Sequence, residues 1–152
     1  MNEKEKKFLQ KILNSKYNLL LDKLINNQRD FLKNIEEAKD KVVQEFGYKK
    51  AEIIAEETEI IFQMKYKAEH ALQYTEVCIF LCIDNYDNPG GVYIDSFDKS
   101  FYECYPKKKS TFFNLYTGKF EITNREIKEI HDAFLKTIYK VAKKFSPKNN
   151  SK

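Results

Sequence analysis

Turn-forming residues are scarce in this chain, with four glycines and three prolines among 152 residues. So few places to reverse leave most of the length for long elements and favour helices over a many-stranded sandwich. Three cysteines are an odd number that builds no closed disulfide framework. Cys78 and Cys82 sit inside the apolar run "VCIFLCI", residues 77–83, where a thiol behaves as a small hydrophobe, so a reducing, cytoplasmic setting is expected. That run is too short to cross a hydrocarbon layer of about 30 Å as a helix. The opening "MNEKEKKFLQKIL" has no long apolar segment of the secretory kind, and no membrane partner is expected. Arginine is almost missing: Arg29 and Arg125 leave 25 of the 27 basic residues as lysine. Sequence-specific reading of duplex DNA leans on the planar guanidinium, so this scarcity counts against it.

Phosphate-binding and metal-binding signatures are also missing. Neither a P-loop nor a G-x-G-x-x-G occurs. Cys78 and Cys82 form C-x3-C within one apolar strand, with no second CxxC or H-x3-H to complete a metal site. The segment "DNYDNPGG", residues 84–91, lacks the carboxylate order of a calcium loop and reads as a polar turn. No metal and no organic cofactor is expected.

What the chain has is periodicity. Leu9, Leu13, Leu20, Leu24, Phe31 and Ile35 recur at steps of four and seven with no proline between them, which predicts helix over about 3–46. Asn26 and Asn27 are its weak point, a kink or a polar position in a coiled-coil seam. Gly47 followed by Tyr48 resembles the glycine stop whose next apolar residue packs back on the last turn. Ala51, Ile54, Ala55, Ile61, Phe62, Tyr66 and Ala68 then suggest a second helix over about 49–74, closing a long N-terminal helical hairpin. From residue 76 the period changes. "EVCIFLCID" reads as a strand covered on both faces, and "VYIDSF", "SFYECY" and "TFFNLY" continue a three- to four-stranded antiparallel meander to about residue 116. Thr123-Asn124-Arg125-Glu126 matches the S/T-x-x-E capping box, and Ile127, Ile130, His131, Phe134, Ile138, Val141 and Phe145 follow at helical spacing. A C-terminal amphipathic helix is expected over 124–145, with 147–152 a frayed tail. Together these make a single α+β domain over residues 1–146.

Charge is unevenly spread. Residues 1–75 carry +1, residues 76–98 carry −5 and residues 99–152 carry +8, which return the total of +4. Such polarity suits an anionic partner or a second copy of the chain. Lys107, Lys108 and Lys109 lie among Tyr102, Tyr105, Phe112, Phe113 and Tyr116, and basic residues beside rings are what a single-stranded nucleic-acid site combines. Strand alternation buries at least half of those rings, and the lysines also suit a plain solvated edge. Of these, Lys107, Lys108, Lys109, Tyr105 and Phe112 are the candidate anion or nucleic-acid site. Leu13, Leu20, Leu24 and Phe31 are the candidate interface for self-association or a protein partner, should two long helices expose more apolar surface than the sheet covers. Cys104 with His131 is the only nucleophile and base pairing that suggests itself, yet His131 lies on an apolar stripe and His70 reads as a C-terminal-turn residue. The expectation is a non-enzymatic binding protein with a macromolecular partner. Small size and lysine-rich composition suit a phage or mobile-element accessory protein that inhibits a host machine by covering a surface.

Overall fold

The computed structural model describes residues 2–13, 16–83 and 89–148. It has an α+β architecture with three helices, a five-stranded antiparallel sheet, a separate two-stranded sheet and a long closing helix. Among the described residues no helix is long and apolar enough to cross a membrane.

The expected first helix is divided into α1 (Glu3–Leu13), α2 (Tyr17–Ile25) and α3 (Arg29–Gln44). The second division falls at the asparagine pair: Asn26 is extended and Asn27 has φ +63°, a left-handed conformation that asparagine tolerates better than most residues. Every terminal carbonyl of α2 is nevertheless satisfied. Asp22 O accepts from Asn26 N at 2.8 Å, Lys23 O from Gln28 Nε2 at 3.2 Å, Leu24 O from His131 Nε2 at 2.6 Å and Ile25 O from Gln28 N at 3.2 Å. Gly47 ends α3 as expected, with φ +84° and Tyr48 N donating to Val42 O at 3.2 Å, and the Tyr48 ring is buried.

The second helix expected over 49–74 is instead a β-hairpin, β1 (Lys50–Ala55) and β2 (Glu59–Tyr66), followed by a loop. Ile60, Phe62 and Met64 are buried while Ile61 and Gln63 are only half-buried, a period of two that the helical reading averaged away. The turn between them is Glu56-Glu57-Thr58, closed by Glu56 N donating to Glu59 O at 2.8 Å, with no glycine, proline or asparagine to announce it. His70 accordingly lies in the following loop at φ +67°, beside Glu69, and terminates no helix.

The sheet continues through β3 (Thr75–Ile83), β4 (Val92–Ser96) and β5 (Tyr102–Tyr105) in the order β1-β2-β3-β4-β5, each strand antiparallel to its neighbour. The meander therefore has five strands rather than three or four. The turn expected at 84–91 lies outside the described residues except for Pro89, Gly90 and Gly91, as does the tail over 149–152. "TFFNLY" does not extend the sheet: β6 (Phe113–Asn114) pairs with β7 (Lys119–Phe120) as a separate hairpin. α4 (Asn124–Lys144) opens on the expected capping box, with Thr123 Oγ1 accepting from Glu126 N at 3.1 Å and Glu126 Oε1 accepting from Thr123 N at 2.9 Å.

The helices gather on one side of the sheet, α3 against β1 and α4, and α4 across β3 and β4. One contiguous core joins Leu9 and Leu13 of α1 to Ile138 and Val141 of α4 through Phe62, Ile79, Leu81 and Ile94. β3 meets the helices on this face only. On its opposite face Cys78 and Phe80 are half-buried and Cys82 is buried, and no described helix lies over them.

Candidate functional site: the lysine loop and the β6–β7 hairpin

β5 ends at Pro106 and the chain runs through Lys107–Lys109 into the small hairpin. Phe112 N donates to Gly90 O at 3.0 Å and Glu121 N to Phe112 O at 2.8 Å, which fastens the hairpin base to the end of the sheet. Phe113 and Phe120 face each other across β6 and β7, rings edge-on at 5.1 Å, and both are buried. The base is therefore part of the core.

The tip is built from short polar contacts. Asn114 Oδ1 accepts from Tyr116 N at 2.8 Å and Thr117 N at 3.2 Å, while Gly118 N donates to Asn114 O at 2.8 Å. Glu121 Oε1 accepts from Asn114 Nδ2 at 2.9 Å and Thr117 Oγ1 at 3.4 Å. Gly118 takes φ +69°, the left-handed position that closes such a turn. At the tip stand Leu115, 54% exposed, and Tyr116, whose side chain touches nothing and is fully exposed. An apolar pair is thus held outward on a fixed frame.

The lysines lie beside this frame but do not open onto rings. Lys107 Nζ is 4.8 Å from the Tyr105 ring centroid and Lys109 Nζ 5.4 Å from that of Phe112, and both rings are buried beneath them. Lys109 is further held by Glu121 O at 3.2 Å and by the Glu126 carboxylate at 3.7 Å. Partial burial of Glu126 opposes its ionisation, but the Thr123 amide and hydroxyl and Lys109 outweigh that and hold its carboxyl below the usual range. Burial, the bond to Glu103 at 2.6 Å and the charges of Glu103 and Glu129 push the Tyr105 hydroxyl well above its ordinary value. Lys107, Lys108 and Lys119 are exposed.

Of the five rings near the lysines, Tyr105, Phe112 and Phe113 are buried, and only Tyr102 and Tyr116 are open to solvent. Leu13, Leu20, Leu24 and Phe31, the candidate interface, are all buried in the chain's own core. They join the shared core from α1, α2 and α3, while Phe8, Leu19 and Leu32 of the same helices stay exposed. Cys104 and His131 do not meet. Cys104 pairs with Tyr93 on the sheet face away from the helices, whereas His131 is stacked on Phe31 at 3.8 Å between α3 and α4. Burial, with the charges of Glu59 and Asp95 nearby, pushes the Cys82 thiol up to about 12, which leaves it protonated and inert. Among the described residues no cluster of three or more His, Cys, Asp or Glu could hold a metal ion.

The tip at Leu115 and Tyr116 is not evident in the sequence because "TFFNLY" reads as the last strand of the meander, which places both residues inside a strand. Asn114 followed by Gly118 was the available signal, since an asparagine that accepts from the next two amides and a glycine at the left-handed position make such a tip. Comparison with protein-family models, curated proteins and solved structures finds no match for this chain.

Proposed function

We propose that the protein is a non-enzymatic binding module that grips a protein partner with Leu115 and Tyr116, steered by the exposed Lys107, Lys108 and Lys119. The observation that carries this reading is the fixed tip. An exposed apolar pair on a loose loop loses conformational freedom when it binds, whereas one held by the Asn114 and Glu121 contacts has lost most of that freedom already. Tyrosine at the centre of an interface is among the side chains whose truncation costs most. The basic excess of residues 99–152 favours a partner with an acidic rim around its apolar pocket. Covering a working surface of a host machine, as an accessory protein of a phage or mobile element would, requires no more than this contact.

A protein partner is favoured over a single nucleic-acid strand because stacking needs a row of open rings, and Tyr105 and Phe112 are closed beneath their lysines. The test is capture from a lysate of the source organism, with and without nuclease, by the wild type and by Leu115→Ser/Tyr116→Ser. A nuclease-resistant protein held at least about ten-fold more weakly by the double variant is the expected result, corresponding to about 1.4 kcal/mol. Retention that vanishes with nuclease and falls on charge reversal at Lys107, Lys108 and Lys109 would replace this reading with nucleic-acid binding.

A further inference from the structure

β5 is the last strand of the sheet, and α4 packs mainly on β3 and β4. The helix-facing side of β5 is therefore one wall of a groove of about 330 Å³ whose other wall is α4. Phe101, Glu103 and Tyr105 come from the strand, and Glu129, Lys136 and Lys140 from one stripe of the helix. Between the charged helix residues stands Ala133, whose small side chain leaves the groove open.

The outer edge of the strand runs beside this groove, and main-chain groups face that edge. Ser96 N donates to Phe101 O at 3.1 Å, so Ser96 and Phe101 are a hydrogen-bonded pair, and strict alternation turns Glu103 and Tyr105 toward β4. The N–H and C=O of Cys104 then point away from β4, where no described strand pairs with them. A groove between an edge strand and a helix is the geometry in which an extended peptide adds to a sheet.

Charge gives the groove a direction. At the Tyr105 end, Glu129 acts on the Tyr105 hydroxyl, which donates to Glu103 at 2.6 Å. At the Phe101 end, Lys140 Nζ lies 5.7 Å from the Phe101 ring centroid, with Lys136 one turn away on α4. A segment running antiparallel to β5 starts at the acidic end and finishes at the basic one. From Glu129 to Lys140 the helix rises about 16 Å, the span of about five extended residues. Side chains one, three and five of such a segment share the face of Tyr105, Glu103 and Phe101, so its first and fifth residues meet the charges on α4.

We infer that this groove binds an extended segment of a protein partner by antiparallel addition to β5, selecting a basic residue at its first position and an acidic residue at its fifth. The inference extends the binding reading above but uses neither Leu115 nor Tyr116. It is tested with two labelled peptides carrying Lys-Val-Thr-Val-Glu or Glu-Val-Thr-Val-Lys between glycine linkers, by fluorescence polarisation and by amide exchange followed by NMR. The first peptide binds at least about ten-fold more tightly, and at a free concentration about ten-fold above its Kd it slows exchange of the Cys104 amide about ten-fold. The variant Glu129→Lys/Lys136→Glu/Lys140→Glu, altered only at exposed positions and checked for an unchanged circular dichroism spectrum, reverses the preference. Equal affinities, no binding up to about 1 mM, or binding with unchanged Cys104 exchange would each overturn the groove. Lysate capture through the hairpin is scored separately, so loss of the groove and loss of the hairpin contact are distinguishable.

Discussion

Replacing His131 by leucine tests how the divided N-terminal helices are held. His131 Nε2 donates to Leu24 O at 2.6 Å, closing the end of α2, while its ring stacks on Phe31 with planes 7° apart. His131→Leu leaves that carbonyl without its donor, a loss of about 1–3 kcal/mol. The stacked contact contributes about 0.5–1.5 kcal/mol beyond area. The expected loss is therefore about 2–4 kcal/mol, or about 4–16 °C in Tm for a chain of this size. Urea denaturation followed by far-ultraviolet circular dichroism measures it. The pH dependence supplies a second readout. Burial lowers the His131 pKa below its usual 6.5, and the charge of Lys128 adds to this, against the opposing effects of the Leu24 carbonyl and Asp132. Asp30 of α3 also faces the cavity that His131 lines. A depressed pKa means that the unfolded chain takes up the proton first, so this contribution is complete above about pH 6.5 and is lost as pH falls towards the folded value, at up to about 1.4 kcal/mol per unit. His131→Leu abolishes that slope. A variant within about 0.5 kcal/mol of wild type, or one that keeps the slope, would refute this account of His131.

Cys104 is expected to react with a thiol reagent well before Cys82 in the native protein, because Cys82 is buried with its thiol pushed up to about 12 while Cys104 on the same sheet face is only half-buried; equal native rates would contradict the burial of Cys82. Gly90→Ala places a Cβ 2.0 Å from Thr111 Oγ1 at φ +78°, and a loss of about 2–4 kcal/mol in urea denaturation is expected, with less than about 1 kcal/mol arguing against the close approach. Thr123→Ala removes the acceptor for Glu126 N and is expected to cost about 1 kcal/mol, whereas Thr123→Ser retains most of the stability.

The sequence made α4 legible because two independent signals agreed there, a reciprocal cap and an uninterrupted stripe of period 3.6. Gly47 was legible for a similar reason: only the glycine fits the left-handed stop, and Tyr48 had an apolar surface to cover. The β1–β2 hairpin was not, since Ile53-Ile54 and Ile60-Ile61-Phe62 place apolar residues on both faces and match a helical stripe as well as a strand. Its glutamate-rich turn offered no contrary sign. Charged residues were read correctly as polarised along the chain, but position in sequence did not reveal that Tyr105 and Phe112 would be covered by the lysines beside them. Leu13, Leu20, Leu24 and Phe31 lie on one stripe in the sequence, and periodicity alone does not tell a stripe that packs inward, as this one does, from one that meets a partner.

The most direct test of the hairpin contact is a photo-crosslinking phenylalanine analogue at Tyr116, compared with the same analogue at Phe97, an exposed ring in the β4–β5 turn. Irradiation in lysate is predicted to join position 116 to one polypeptide, in nuclease-resistant form, and to leave position 97 without that adduct. A nuclease-sensitive adduct at 116, or the same polypeptide at both positions, would contradict the claim that the tip is where the partner is held.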